Sequence, residues 1–266
     1  MNDAEEQFSL WNGTAGKAWV DSQELLDRVL APFEDAILEA DLGARVLDVG
    51  CGTGSTTLAI SKRSTVVGVD ISEPMLGLAK RRAEAAKAPA TFVLADAASY
   101  AFTPPPFDTV VSRFGVMFFE DPVRAFENLR RAATRLRMVA WRSAAENEFM
   151  TTAERAAAPL LPSLPPRRPG APGQFAFGER DRVVQILEGA GWRDVEVSPL
   201  DRTCTMPASA LMPYVTRLGP VGRVLHDLDE PARARAVERL EAAFQPFVAG
   251  DEVRFVGATW LITANA

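Results

Sequence analysis

Cysteine is scarce in this 266-residue chain, where only Cys51 and Cys204 occur. Two cysteines, one of them inside a glycine-rich turn, make no disulfide framework, so a reducing compartment is expected. Histidine occurs once, as His226, and no cluster of Asp, Asn and His marks a metal site. No grouping of cysteines suggests a thiophilic acceptor such as arsenite. Basic residues are not in excess: 29 Lys and Arg stand against 35 Asp and Glu, a net charge of -6. That balance lacks the electrostatic footprint of a nucleic-acid binder. No apolar run approaches the roughly 18 residues of a membrane span, and the acidic start MNDAEEQF lacks the charged-then-apolar pattern of a signal peptide. A soluble, cytoplasmic protein is expected.

What is present is ordinary globular composition, 47% hydrophobic and 24% charged, at a length that fits one large domain with a cap or insertion. Residues 5–40 read as helical, because Leu26, Leu30, Phe33 and Ile37 recur on one face. Strands are then expected at 45–49, 65–69, 91–94, 107–112 and 137–141, with helices near 55–62, 73–87 and 122–135. Ser72 and Asp121 each stand just before a helix whose first turn holds a proline, the arrangement of an N-cap. Short valine-rich strands alternating with helices predict a parallel sheet covered on both faces, with right-handed crossovers. Further strands are expected at 194–198 and 254–264, with mostly helix over 207–247. The fold class is thus α/β: a Rossmann-like, doubly wound, seven-stranded, mostly parallel sheet with an antiparallel last strand and helical cap segments. The expected division is an N-terminal helical cap over 1–42, a ligand-binding core over 43–145, and a proline-rich lid or insertion over 146–180. The sheet is then completed over 181–266, with a helical cap insertion near 207–247. Within the third of these, residues 159–173 hold six prolines and two glycines, which excludes regular structure and leaves a linker or a lid over a cleft.

The stretch VLDVGCGTGSTTLAI, residues 46–60, runs from a buried strand through a glycine turn into a helix. A dinucleotide fingerprint needs G-x-G-x-x-G, with the pyrophosphate on the helix N-terminus. Here the glycines are Gly50, Gly52 and Gly54, and Ser55 stands where the third dinucleotide glycine belongs. Asp48, two residues before the first glycine, would repel a diphosphate and favour a ligand with positive charge, such as the ammonium and sulfonium of S-adenosylmethionine. Asp70 closes the second strand, placed to accept from two ribose hydroxyls. Asp96 ends the third, so three aspartates line one edge of the predicted sheet.

The successive segments VLDVGCGTG, VVGVDISEPML, FVLADA and FDTVVSRFGVMFF resemble the motifs of class I S-adenosylmethionine-dependent methyltransferases. Within them the chain is most similar to the small-molecule enzymes related to ubiquinone and menaquinone biosynthesis. The resemblance is strong over roughly residues 20–145 and looser at the last strands. It implies S-adenosyl-L-methionine as cofactor, S-adenosyl-L-homocysteine as product, and a cofactor site made of Asp48, Gly50, Cys51, Gly52, Gly54, Asp70, Ile71, Met75, Asp96, Ala97 and Ser112. By that likeness Asp48 helps hold the amino group, directly or through water, and the glycines admit the methionine part. Asp70 takes the ribose hydroxyls and Met75 packs near the adenine. Asp96 accepts from the adenine amino group, while the Ala97 backbone donates to the ring. One departure is visible: the Pro-Gly turn usual before the fifth strand is replaced by RAATRLRMVAW.

The implied chemistry is in-line methyl transfer to a small, apolar or aromatic molecule. Trp19, Arg113, Phe114, Met117 and Trp141 are the candidate acceptor-binding residues, with core packing the default for Phe118 and Phe119. Catalytic groups are not identified by any motif: His226 could serve as a base or be a surface helix residue, and Arg113 could pair with an anionic acceptor or form a structural salt bridge. The chain lacks the Asn/Asp/Ser-Pro-Pro-aromatic signature of nucleic-acid amino methylation, and SRFG stands in its place. A small-molecule acceptor, no nucleic-acid partner, no metal and a monomer or homodimer are expected. Two other functions stay open at this point, a nicotinamide-dependent oxidoreductase and a non-catalytic S-adenosylmethionine-binding regulatory protein.

Overall fold

The computed structural model describes residues 3–103, 106–162, 164, 166–168, 170–225 and 227–266. Three helices open the chain: α1 (Asp3–Asn12), α2 (Thr14–Asp21) and α3 (Gln23–Leu38). A βα alternation follows: β1 (Arg45–Val49), α4 (Ser55–Ile60), β2 (Thr65–Asp70), α5 (Glu73–Ala86), β3 (Ala90–Leu94), β4 (Phe107–Arg113), α6 (Pro122–Ala132) and β5 (Ala133–Trp141). The remainder comprises α7 (Glu148–Ala157), α8 (Arg180–Gly189), β6 (Arg193–Pro207), α9 (Leu211–Arg217), α10 (Gly219–Leu225), α11 (Glu230–Phe244), β7 (Val248–Ala249) and β8 (Glu252–Asn265).

The main strands lie in the order β3-β2-β1-β4-β5-β8-β6, and the two-residue β7 pairs with β8. From β1 to β3 the chain steps one way across the sheet, and from β4 to β5 it steps the other. Right-handed crossovers then place α4 and α5 on one face and α6 on the opposite one. The last strand runs antiparallel, as expected, and is inserted between β5 and β6. Both N-caps are formed: the Ser72 side chain accepts from the Met75 N–H and that of Asp121 from the Arg124 N–H.

Within the stretch 1–42 expected as a cap, α3 belongs to the sheet layers. Phe33 and Ile37 are fully buried, and the helix packs on β4, β5 and β6. Its C-terminal carbonyls, which have no partners within the helix, are taken up by arginines. Arg137 donates to Ala36 O and Ile37 O, Arg63 to Leu38 O, and Arg135 to Asp41 O.

Those contacts explain the main difference from the expected boundaries. The helix expected over 122–135 stops at Ala132, and β5 begins at once with Ala133 (φ -147°, ψ 160°) rather than at 137. ATRLR has a helix-like composition, but Ala133 and Arg135 pair with Phe107 and Thr109 of β4, and the alternate arginines face α3. With no residue between helix and strand, there is no place for a Pro-Gly turn. β6 is likewise far longer than 194–198 and carries Pro199 in its interior. It is an edge strand, where a missing N–H breaks no ladder bond.

β6 and β8 stay paired from Leu200↔Thr259 to Pro207↔Glu252, beyond the last β5 pair, Trp141↔Thr259. At about 3.3 Å per residue the ribbon overhangs the carboxyl edge of the parallel strands by about 20 Å. Where β5 ends, the buried Asn147 side chain continues its ladder: Nδ2 donates to Ala258 O at 2.9 Å and Oδ1 accepts from Ala258 N at 3.0 Å. The ribbon is thus the platform on which α7 and α11 pack, with Phe149 stacked on Phe255 at 3.8 Å.

At the point where strand order reverses, β1 and β4 are held at backbone contact. A Cβ on Gly115 would lie 2.6 Å from Gly50 Cα and 2.6 Å from Val49 O. Gly115 has ordinary negative φ (-80°), so Gly115→Ala tests steric closeness alone. It should cost about 1–3 kcal/mol, the range for overpacking, read as a lowered denaturation midpoint. An unchanged midpoint would show that the two turns can separate freely.

Candidate functional site

The reversal between β1 and β4 opens a crevice at the carboxyl edge, where ligands bind in open α/β sheets. A cavity of about 1730 Å³ fills it, beyond the roughly 300–1,000 Å³ usual for one ligand. It has room for two molecules side by side. Its walls come from α1 and α2, the ends of β1, β2 and β4, the loop after β3, residues 166–179, α7, and the α9–α10 hairpin.

The glycine turn makes the floor. Gly50, Gly52 and Gly54 all have positive φ (67°, 54° and 88°), a conformation glycine adopts without steric cost. The Asp70 carboxylate ties this turn to the next: Oδ2 accepts from Gly52 N at 2.8 Å and Oδ1 from Ser72 N at 2.9 Å. Burial raises its pKa, and the N–H groups of Ser72, Gly52 and Ile71 oppose that rise. A carboxylate has about four acceptor sites, so capacity remains for a ligand's hydroxyls.

Around the turn lie three acids and one guanidinium. Asp48 is buried and accepts from the Thr57 hydroxyl at 2.6 Å. Burial raises its pKa to about 6 against the pull of Thr57 and Arg113, with Glu34 and Asp70 adding to the rise. Glu34, from α3, accepts from the Ser55 and Thr56 hydroxyls at 2.6 and 3.2 Å. Its carboxylate therefore occupies the first turn of α4, where a dinucleotide would place its pyrophosphate. Arg113 lies 3.9 Å from Glu34 and donates to Leu30 O.

Of the residues expected at the cofactor site, Gly50, Gly52, Asp70, Ile71, Met75, Asp96 and Ala97 line the cavity. Asp48, Cys51, Gly54 and Ser112 do not, and their places have local reasons. Asp48 lies beneath the turn, so its influence on the cavity is through charge rather than contact. Gly54 begins α4 and faces Ala79, where a Cβ would come within 3.0 Å. Cys51 is packed over Gly68, with its thiol pKa pushed well up by burial and by Asp70 and Asp48. Ser112 donates to Val49 O at 2.8 Å and accepts from Gly115 N at 3.2 Å, latching β4 to β1. Asp96 is exposed, and its Oδ1 accepts from Ala98 N.

All five expected acceptor residues, Trp19, Arg113, Phe114, Met117 and Trp141, are on the cavity wall. Phe114, at φ 66°, stacks on Trp141 at 4.5 Å, and Phe33 meets both edge-on. Both rings are nearly buried (7% and 4% exposed), so most of their area packs within the protein. Residues 166–179, from the segment read as linker or lid, line the cavity. Gly173 N donates to Met117 O, and Arg182 donates to Ala176 O and Gly170 O. His226 lies outside the described residues. Among the described residues no group of three or more His, Cys, Asp or Glu is placed to hold a metal.

Three contributors escaped the sequence reading. Glu34 reads there only as a polar position on an amphipathic helix. Gly115 follows Phe114 in SRFG, and its pairing with Gly50 is visible only once strand order is known. Asn12 donates to Ile71 O at 2.9 Å and accepts from Glu73 N at 2.9 Å, while Ser72 donates to Trp11 O. These bonds dock the α1–α2 turn beside Asp70, where Trp11 meets Trp19 and Phe118 edge-on.

Comparison with known proteins agrees with this geometry. The family model described as a methyltransferase domain matches residues 46–135. Demethylmenaquinone methyltransferase of Thermus thermophilus is 39% identical over 90 residues, 33% of this chain and 41% of that protein. The enzyme of the same name from Renibacterium salmoninarum is 26% identical over 171 residues, 60% of this chain and 70% of that one. Magnesium protoporphyrin IX methyltransferase from Synechocystis PCC 6803, solved with S-adenosylhomocysteine bound, superposes with a TM-score of 0.58 over 100% of both chains at 17% identity. Fold and matched motifs together define a class I, S-adenosylmethionine-dependent type of methyltransferase domain. It is related to the methyltransferases of menaquinone biosynthesis, although the chain spans only about two fifths of the length of the Thermus relative. Among the described residues no helix is long and apolar enough to cross a membrane.

Asp48 makes the electrostatics measurable. Its folded pKa of about 6 exceeds its ordinary 3.8, so the folded state binds the proton more tightly. Its contribution is most favourable below about pH 3.8 and is lost as pH rises to about 6. A shift of roughly two units corresponds to about 3 kcal/mol. Asp48→Asn keeps an oxygen for Thr57 and removes the charge, so the variant should gain on the wild type by up to about 3 kcal/mol between about pH 4 and pH 7. Urea unfolding across that range reads it, and a pH-independent difference would disprove the assignment.

Proposed function

We propose that this protein transfers the methyl group of S-adenosyl-L-methionine to a small molecule with an apolar or aromatic body, releasing S-adenosyl-L-homocysteine. The observation that carries the reading is the Glu34 carboxylate seated on the first turn of α4. A diphosphate has no place there, whereas a cation above a turn ringed by Glu34, Asp48 and Asp70 is favoured. The same observation weighs against a nicotinamide-dependent oxidoreductase, and the comparisons lend that alternative no support.

In this reading Gly50 and Gly52 admit the methionine part of the cofactor, and Asp48 holds its ammonium electrostatically from beneath the turn. Asp70 and Ile71 receive the ribose, while Met75, Asp96 and Ala97 bound the adenine. Cys51, Gly54 and Ser112 shape the turn from behind. Trp19, Arg113, Phe114, Met117 and Trp141 face the acceptor. The sulfonium supplies an already activated methyl group, so the chain's task is alignment and exclusion of water. Holding the reacting groups in line can be worth effective molarities on the order of 10⁵ M. The acceptor's lone pair forms the new bond to the methyl carbon as the carbon–sulfur bond breaks, and any acceptor proton leaves to water or to a base. Arg113 is already engaged by Glu34 and the Leu30 carbonyl, which suits a positioning role. We further read the protein as cytoplasmic, acting as a monomer or homodimer on a small molecule rather than nucleic acid.

Calorimetric titration tests the reading. S-adenosylmethionine and S-adenosylhomocysteine should bind in the micromolar range and NAD should give no heat. Asp70→Asn should weaken both by about tenfold or more, since two charge-assisted hydrogen bonds are reduced to neutral ones. Binding of NAD in place of the adenosyl ligands would reject the proposal. Binding without turnover across phenols, amines and quinol-like compounds would favour a non-catalytic, regulatory role.

A further inference from the structure

The cavity is electrically divided. Near the glycine turn its wall carries Asp70, Asp96, Glu120 and Asp121, whereas the wall formed by residues 166–179 and the α9–α10 hairpin carries Arg167, Arg168, Arg182, Arg217 and Arg223. Two of these arginines are fully engaged by the protein. Arg167 makes a two-pronged bond to Glu154 at 2.8 and 2.6 Å and lies over the Phe175 ring at 4.4 Å. Arg182 is spent on the carbonyls of Ala176 and Gly170.

Arg223, on α10, is different. It is half-buried and on the cavity wall, yet makes no hydrogen bond or ion pair with any described residue. Burial lowers its pKa, and the only compensating charge is Glu154, whose two oxygens are already taken by Arg167. One carboxylate against two guanidinium groups leaves a net positive corner facing the cavity. Partly desolvated guanidinium groups are ordinarily paired, and the fork of an arginine matches a planar oxyanion.

An apolar wall adjoins this corner. Glu154 lies one turn along α7 from Met150, whose sulfur accepts from the Tyr214 hydroxyl at 3.8 Å, and residues i and i+4 share a helix face. Phe149, Tyr214 and Phe244 line the cavity beside it, and Phe149 meets Tyr214 and Phe244 at 6.1 and 5.1 Å. The arrangement suits a flat apolar body with one acidic substituent.

We infer that Arg223 is a specificity-determining residue that receives an anionic group, a carboxylate or a phosphate, on an acceptor whose aromatic body rests against Phe149, Tyr214 and Phe244. This rests on the cavity being the acceptor site of the proposed methyl transfer. It also accounts for segregated charge in one cavity: the cationic cofactor lies at the acidic end and the anionic acceptor at the basic end.

The probes are naphthoate, naphthyl phosphate and neutral naphthamide, titrated into the full-length protein saturated with S-adenosylhomocysteine. At least one anion should bind about tenfold or more tighter than the amide, as a charge-assisted hydrogen bond provides, and the better of the two identifies the group. Arg223→Met should abolish that preference and Arg223→Lys should retain part of it, each with unchanged S-adenosylhomocysteine affinity as the measure of an intact fold. Equal affinity for anion and amide, binding of none of the probes, or a preference that survives in Arg223→Met would overturn the inference. Failure to bind S-adenosylhomocysteine at all would instead reject the cofactor reading, a separate outcome of the same titration.

Discussion

The backbone of β1 and that of β4 meet at Gly50 and Gly115 with no room for a side chain on either. Everything about the site hangs from that contact. It lies where strand order reverses, so helices leave the sheet on opposite faces and a crevice opens between them. Ser112 fixes the approach by bonding to Val49 O and to Gly115 N. With the two turns held together, Asp70 reaches the Gly52 N–H from the neighbouring strand, and Phe114 is turned into the left-handed region to stack on Trp141. A floor for a small ligand and a wall beside it thus follow from one backbone contact.

The second constraint is the β6–β8 ribbon. Because it overhangs the parallel strands, it carries the cap helices out over the crevice, with Asn147 continuing the β5 ladder through its side chain. The aromatic cluster on Phe255 and Phe149 joins ribbon to cap. Cavity chemistry therefore comes in two parts of different origin. The sheet edge contributes buried carboxylates held by backbone N–H groups, and the cap contributes arginines and aromatic rings.

Much of this was legible in the residues because the determining interactions are local. The caps at Ser72 and Asp121 depend on three or four consecutive residues, and both form. Glycines at 50, 52 and 54 announce positive φ by themselves. β5 was harder: ATRLR suits a helix by composition, and only orphan carbonyls of α3, about a hundred residues earlier, make its arginines strand residues. Glu34 was invisible for the same reason, since its role depends on hydroxyls 21 and 22 residues away. Asp48 was read correctly as a source of negative charge at the turn, but its contact with Thr57 places it beneath the floor rather than on it.

The sequence by itself determined the strand–turn–helix alternation, the order of glycines and aspartates along it, and hence the class of fold. Periodicity, capping and glycine conformation act over a few residues and need no knowledge of distant neighbours. Only the tertiary structure decided which acid blocks a diphosphate, which glycines touch, how far β6 and β8 extend, and which arginine is left facing the cavity. Those outcomes depend on which partners arrive first at each acceptor. Glu154 can satisfy Arg167 or Arg223 with two hydrogen bonds but not both, and chain order says nothing about which one the folded packing favours.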